Sequence, residues 1–173
     1  MSIAVGLTLT AALLAAGAGV AKLASPRTAV EAMRAVRLPA SDTLVRAAAL
    51  AEVALGALVL ATDGWLARLA LALAYLGFAA FSIVAISAGR AEPCGCFGRS
   101  GSVIGWRHVV TDLVLAAGLV TAAAGNGPSA ARLVRLSPSL GAGSIAVAFV
   151  AALLAASFLS GPMARARPEM ADA

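Results

Sequence analysis

Charge is scarce in this chain. Of 173 residues only 8 are Asp or Glu and 13 are Lys or Arg, 12% in all, where a soluble domain carries about a quarter. So few ionisable groups cannot furnish a water-facing shell, which excludes an ordinary soluble globular domain. Cysteine is nearly absent as well; two residues, Cys94 and Cys96, exclude a disulfide framework. No basic run with interleaved aromatics occurs, so the net charge of +5 does not mark a nucleic-acid surface. Loop arginines facing anionic lipid headgroups account for it. Alternation of apolar and polar residues with period two is missing too, which excludes a membrane β-barrel.

What remains is apolar. Hydrophobic residues make up 61% of the chain and the mean hydropathy is +0.95, a surplus that lipid can cover and water cannot. Five apolar segments stand out, at 3–23, 44–62, 65–88, 106–124 and 143–160, each near the ~20 residues that a helix needs to cross a bilayer. The backbone must be satisfied internally in lipid, so they are predicted to be helices. The fold class expected is therefore all-α, a multi-pass transmembrane bundle in the cell membrane, with four core helices in 1–124 and a fifth appended span. The first segment lacks the basic flank of a signal peptide and is read as a retained span.

Between the first two spans, "SPRTAVEAMRAVRLP" predicts a short helix over 26–38 lying in the membrane interface. Ser25 is placed to cap it, Pro26 suits a first helical position and Pro39 stops it. Arg27, Glu31 and Arg34 form a charged stripe away from Val30, Met33 and Val36. Asp63-Gly64 reads as a tight turn that makes the second and third spans a hairpin, with Trp65 and Trp106 marking opposite membrane surfaces. The Gly/Pro/Ser-rich stretch 125–142 reads as a loop, and 161–173 as a basic disordered tail.

Ionisable groups inside spans are costly and usually functional. Lys22 closes the first span. Glu52 lies in the second, on a face with the small residues Ala48 and Gly56, which predicts that it points into the bundle. His108 and Asp112 stand at i and i+4 in the fourth. At ~1.5 Å per residue, Glu52 falls about 12 Å and Asp112 about 9 Å below one membrane surface, with His108 and Lys22 close to it. That is the surface carrying Cys94 and Cys96. Plainer roles compete: Lys22 snorkelling to headgroups, His108 as an interfacial residue, and Asp112 in a structural pair with His108 or Arg107.

The cysteines sit in "PCGCFG" at 93–98. A C-x-C bridge closes a small strained ring, and strain makes a disulfide labile and suited to exchange. Arg90, Arg99 and Arg107 favour the reactive thiolate, while Glu92 opposes it. A metal site of Cys94, Cys96, His108 and Asp112 is an alternative, although zinc sites favour wider cysteine spacing. Two small cysteines in a glycine turn, with no chemistry, is the plain alternative.

Four stretches resemble the MauE family, related to DoxX-like membrane proteins: "AGVAKLASP" at 18–26, "LAEVALGALV" at 50–59, "PCGCFG" at 93–98 and "GWRHVVTDLVLAA" at 105–117. The resemblance implies a membrane component of thiol-disulfide redox chemistry with Cys94 and Cys96 as the redox pair. It further implies a thioredoxin-like partner outside the cytoplasm and a role like that in methylamine dehydrogenase maturation. Lys22, Glu52, His108 and Asp112 are not assigned by it; they are candidate proton-handling and pocket residues on the bilayer argument. No cofactor motif is present, and a quinone enters by analogy only.

The positive-inside rule points the other way for orientation. Lys22, Arg27, Arg34, Arg37, Arg46, Arg90, Arg99, Arg107, Arg165 and Arg167 fall on one side, and Arg68, Arg132 and Arg135 on the other, which predicts a cytoplasmic cysteine loop. Two functions of other classes are kept beside the redox reading. One is a non-catalytic membrane assembly subunit indifferent to Cys94→Ser and Cys96→Ser. The other is a small-solute or metal transporter that depends on Glu52 and Asp112.

Overall fold

The computed structural model describes residues 3–89, 103–125 and 127–160. These form seven helices and no strand: α1 Ile3–Ala24, α2 Arg27–Ala35, α3 Asp42–Ala61, α4 Trp65–Ser87, α5 Trp106–Ala124, α6 Ala130–Leu136 and α7 Pro138–Ser160. Five of them, α1, α3, α4, α5 and α7, are long and apolar enough to cross a membrane. The protein is a multi-pass helical membrane bundle. Both tryptophans are exposed, at the starts of the antiparallel α4 and α5 and hence at opposite ends.

The bundle is organised on α1, which packs against α3, α5 and α7. Small residues rather than large ones make these contacts close, as expected where lipid removes any hydrophobic drive between helices. A Cβ at Gly19 would lie 2.6 Å from the Ala49 carbonyl oxygen, and one at Gly56 2.6 Å from that of Ala12. Gly118 is pressed as closely by the Leu7 side chain. Ala11, Ala12 and Leu14 of α1 are buried, with Leu71 and Tyr75 of α4 and Leu119 of α5 around them. The Tyr75 hydroxyl donates to the Ala11 carbonyl at 2.7 Å.

α2 buries Val30 and Ala32 and exposes Arg27, Glu31 and Arg34, the amphipathic split expected of an interfacial helix. Its N-cap is Pro26 and no side chain caps it, so Ser25 does not take the capping role expected of it. The helix ends with Arg37 in the left-handed region, φ 61°. There the Leu38 N–H donates back to the Met33 carbonyl and the Arg37 N–H to that of Arg34, the six-to-one closure of a Schellman-type end.

The stretch 125–142 is not simply a loop. Ser129 Oγ accepts from the Arg132 N–H at 3.2 Å, which starts α6, and Pro138 begins α7 five residues before the expected span. The Gly/Pro/Ser composition marks two helix starts here, since serine caps and proline at a first turn are helix-initiating chemistry. Asp63 anchors α6 to the α3–α4 turn. Its Oδ1 accepts from the Ser129 N–H at 2.6 Å, and Oδ2 lies 3.4 Å from Arg132. Burial of Ala130 against Val5, Leu9 and Ala148 seals the rest.

Candidate functional site

Lys22 stands in the last turn of α1, the end tied closely to α3 by Gly19. It does not snorkel. Its side chain is buried, and Nζ donates to both carboxylate oxygens of Glu52, at 2.5 and 2.7 Å. Glu52 is itself buried, on the α3 face that meets α1. The contact residue on that face is Ala49, together with Gly56; Ala48 is exposed instead. The Phe78 ring of α4 lies under the ammonium, 4.8 Å from Nζ to the ring centroid, adding a cation–π contact. An ion pair out of water is held at a desolvation cost of several kcal/mol per ion, so bidentate geometry and the aromatic face matter to its survival.

Asp112, half-buried in α5, shares a cavity with the same lysine. It lines a small cavity of about 60 Å³ with Lys22, Tyr75, Ser82, His108 and Thr111, and Lys22 is the cation whose field reaches it. A cavity that size has room for water, which needs roughly 10–15 Å³ of such space. His108 is buried at the start of α5, where its Nδ1 lies 3.2 Å from the Gly105 nitrogen and 3.3 Å from the Gly105 carbonyl oxygen. With the proton on Nε2 the ring accepts from this helix-start N–H, and with the proton on Nδ1 it donates to the carbonyl. Among the described residues no hydrogen bond joins His108 to Asp112; the two share a cavity wall.

A second cavity, of about 290 Å³, lies between α2, α3 and α4 and is also lined by Lys22. Its floor is the Lys22–Glu52 pair and its walls are otherwise apolar, Val45, Ala74, Phe78 and Phe81 among them. Lys22, Phe78 and Phe81 thus line both cavities, with one carboxylate bonded to the lysine and another in the wall of the smaller cavity.

Cys94 and Cys96 lie outside the described residues, and so does the metal alternative built on them. Among the described residues no group of three or more His, Cys, Asp or Glu side chains gathers to hold a metal. What is described is the frame around the pair. α4 ends at Ser87 and α5 begins at Trp106, on the side where Lys22 closes α1 and Glu52, His108 and Asp112 lie.

Two features escaped the sequence reading. Phe78, one apolar residue among many in α4, carried no signal that a cation would rest on it. Arg68, taken for a loop cation, is fully buried at 1% exposure. It donates to the carbonyl oxygens of Ala122, at 3.1 Å, and of Gly127, closing the C-terminal end of α5. Not every buried charge thus lies in the cysteine half. Arginines close two further helix ends on the cysteine side: Arg46 donates to the Leu23 carbonyl at 3.1 Å, and Arg107 to that of Phe158 at 3.0 Å.

The model of one protein family, described as Methylamine utilisation protein MauE, matches residues 1–125. The chain belongs to the MauE family. The resemblance read from four short stretches thus extends over α1 to α5, with Lys22, Glu52, Cys94, Cys96, His108 and Asp112 all inside the MauE match. α6 and α7 lie beyond it. No curated protein and no solved structure matches the chain.

Proposed function

We propose that this MauE-family protein is a membrane thiol-disulfide redox component, with Cys94 and Cys96 as the exchanging pair and a thioredoxin-like protein as partner. One cysteine thiolate attacks a partner disulfide. A new S–S bond forms as the partner's breaks, and the released partner sulfur takes up a proton. The second cysteine then attacks the mixed disulfide, closing Cys94–Cys96 and releasing the partner as a dithiol. Run in reverse, the same steps oxidise the partner. Two electrons and two protons pass in each turnover, so the pair needs a route for protons as well as a partner.

The observation that carries this reading is the convergence of Lys22, Glu52, Asp112 and His108 in the same half of the bundle as the ends of α4 and α5. The chain between those ends contains the only two cysteines. Asp112 and Glu52 are the proton-handling groups, and Lys22 balances their charge. His108 orders the start of α5 and offers its ring as a further proton site. A maturation role in methylamine oxidation is the setting that the family's description suggests.

The test is trapping. Cys94→Ser and Cys96→Ser are each expressed with the candidate partner, quenched in acid, and alkylated. The expected result is a mixed disulfide that accumulates in one variant and not in the wild type. If neither variant forms one and the partner's redox state is unchanged, the redox reading fails. A membrane-impermeant maleimide applied to intact cells, with and without reduction, assigns the side. Labelling after reduction places the pair outside with an exported partner; labelling only after lysis places it in the cytoplasm, as the arginines predict.

A further inference from the structure

The cavity of about 290 Å³ between α2, α3 and α4 has the properties of a ligand site that fills from the bilayer. Its volume is near the lower end of the ~300–1,000 Å³ of small-molecule pockets, room for a ring-sized headgroup and not for a whole lipid. Its rim is exposed and apolar: Leu38 is 44% and Leu44 45% exposed, and Ala48 and Gly77 are exposed beside them. Gly77 keeps the space open. A Cβ there would meet nothing within 4 Å, unlike those at Gly19, Gly56 and Gly118, so this glycine serves no helix contact. At the floor, the Lys22 ammonium has three N–H donors and Glu52 takes two. Among the described residues no acceptor takes the third, although Lys22 is only 8% exposed.

A molecule suited to that space is lipid-dissolved, has a flat apolar body that can lie along Phe78 and Phe81, and carries an oxygen acceptor for Lys22. To exchange with a dithiol–disulfide couple, as the redox reading requires, it must also carry two electrons and two protons. A conjugated ring bearing carbonyl oxygens meets all four conditions. We infer that this cavity binds the headgroup of a membrane quinone, with a ring carbonyl accepting from Lys22 Nζ and the tail leaving between α3 and α4 past Ala48 and Gly77. The inference rests on the redox reading for the choice of a two-electron carrier. The exchange balances: the dithiol of Cys94 and Cys96 and a quinone become the disulfide and a quinol, two electrons and two protons moving together.

The protein in nanodiscs is photolabelled with an azidoquinone bearing a short alkyl tail, in competition with the unlabelled short-chain quinone. Saturable labelling is expected on peptides of α2, α3 and α4. Gly77→Phe, which fills the cavity without a clash at Cβ, abolishes it. The double variant Lys22→Met/Glu52→Leu removes both charges together and binds about tenfold more weakly, the effect of losing one hydrogen bond to a charged group. Labelling that does not saturate, that spreads evenly onto α7, or that Gly77→Phe leaves unchanged overturns the inference. The same experiment on the Cys94→Ser/Cys96→Ser protein separates the two claims. Labelling with no mixed disulfide in the trapping experiment removes the thiol chemistry alone, and a mixed disulfide with no saturable labelling removes the quinone site alone.

Discussion

At the end of the bundle where α3 turns into α4, the charged side chains are committed mainly to backbone, with one exposed Asp63–Arg132 pair beside them. Arg68 holds the carbonyl oxygens that end α5, and Asp63 holds the N–H that starts α6. At the other end, Lys22, Glu52 and Asp112 face one another and two cavities. The same scarce resource, a charge inside a membrane protein, thus has two uses. Charges bonded to helix ends fasten the chain, whereas charges bonded to other charges beside open space can change partners and exchange protons. The fastened end is read here as structure and the open end as the site.

Breaking the ion pair should produce the largest effect. Lys22→Met leaves the Glu52 carboxylate buried and unpaired, and a loss of about 3–5 kcal/mol is expected. Lys22→Met/Glu52→Leu should recover most of it, because replacing both partners by apolar groups removes the uncompensated charge. Chemical unfolding in nanodiscs measures both; a double variant as unstable as the single would show that the pair contributes through packing.

Arg68→Met comes next, at about 1–3 kcal/mol, for it removes the side-chain donor to the Gly127 carbonyl and one of the two donors to that of Ala122. It should leave mixed-disulfide formation at Cys94 and Cys96 unaltered, the mark of a fastening residue. Gly56→Val drives a side chain into the Ala12 backbone and Ala16, with an expected cost of about 1–3 kcal/mol. Because that seam joins α1 to α3 along their length, both ends should loosen, and amide exchange along α1 is the readout.

The smallest effect is at Asp63. The Ser129 backbone N–H, with Arg132 beside it, holds this carboxyl below its ordinary range against a small opposing effect of burial. The folded state therefore favours the carboxylate. The stability it supplies is fully present above the unfolded value of about 4 and is lost as pH falls through the lower folded value. Its side chain is 40% exposed, so solvent screening keeps the contribution under about 1 kcal/mol. The difference in stability between wild type and Asp63→Asn should be constant near neutral pH and shrink towards zero in acid. A difference that grows in acid would mean that the clasp on α6 is not ionic.

The spans were legible because a bilayer imposes length and apolarity on every crossing helix, and α1, α3, α4 and α5 obey both. Their polar residues were legible for the converse reason: Glu52 and Asp112 are too costly in lipid to lie there by chance. What the sequence did not disclose depends on distance across the fold. Whether Lys22 turns inward or reaches for headgroups is decided by the close approach of α1 to α3 at Gly19. Arg68 read as a loop cation because its acceptors, Ala122 and Gly127, are more than fifty positions away. The start of α7 was placed late because Gly141 and Gly143 dilute its first turns. Gly141 is in fact where α7 meets Val134 of α6.

The central claim is that Glu52 and Asp112 serve the cysteine pair, and the rate of thiol exchange in Asp112→Asn tests it most directly. Asparagine keeps the shape of the side chain and removes its proton. A positioned acid-base group supplies ~10²–10⁴ in rate, so exchange between the Cys94–Cys96 pair and its partner, followed by acid quench and alkylation, should slow at least about tenfold. The overall stability should change little. Exchange at the wild-type rate across the neutral pH range would contradict the account and leave the polar cluster a structural one.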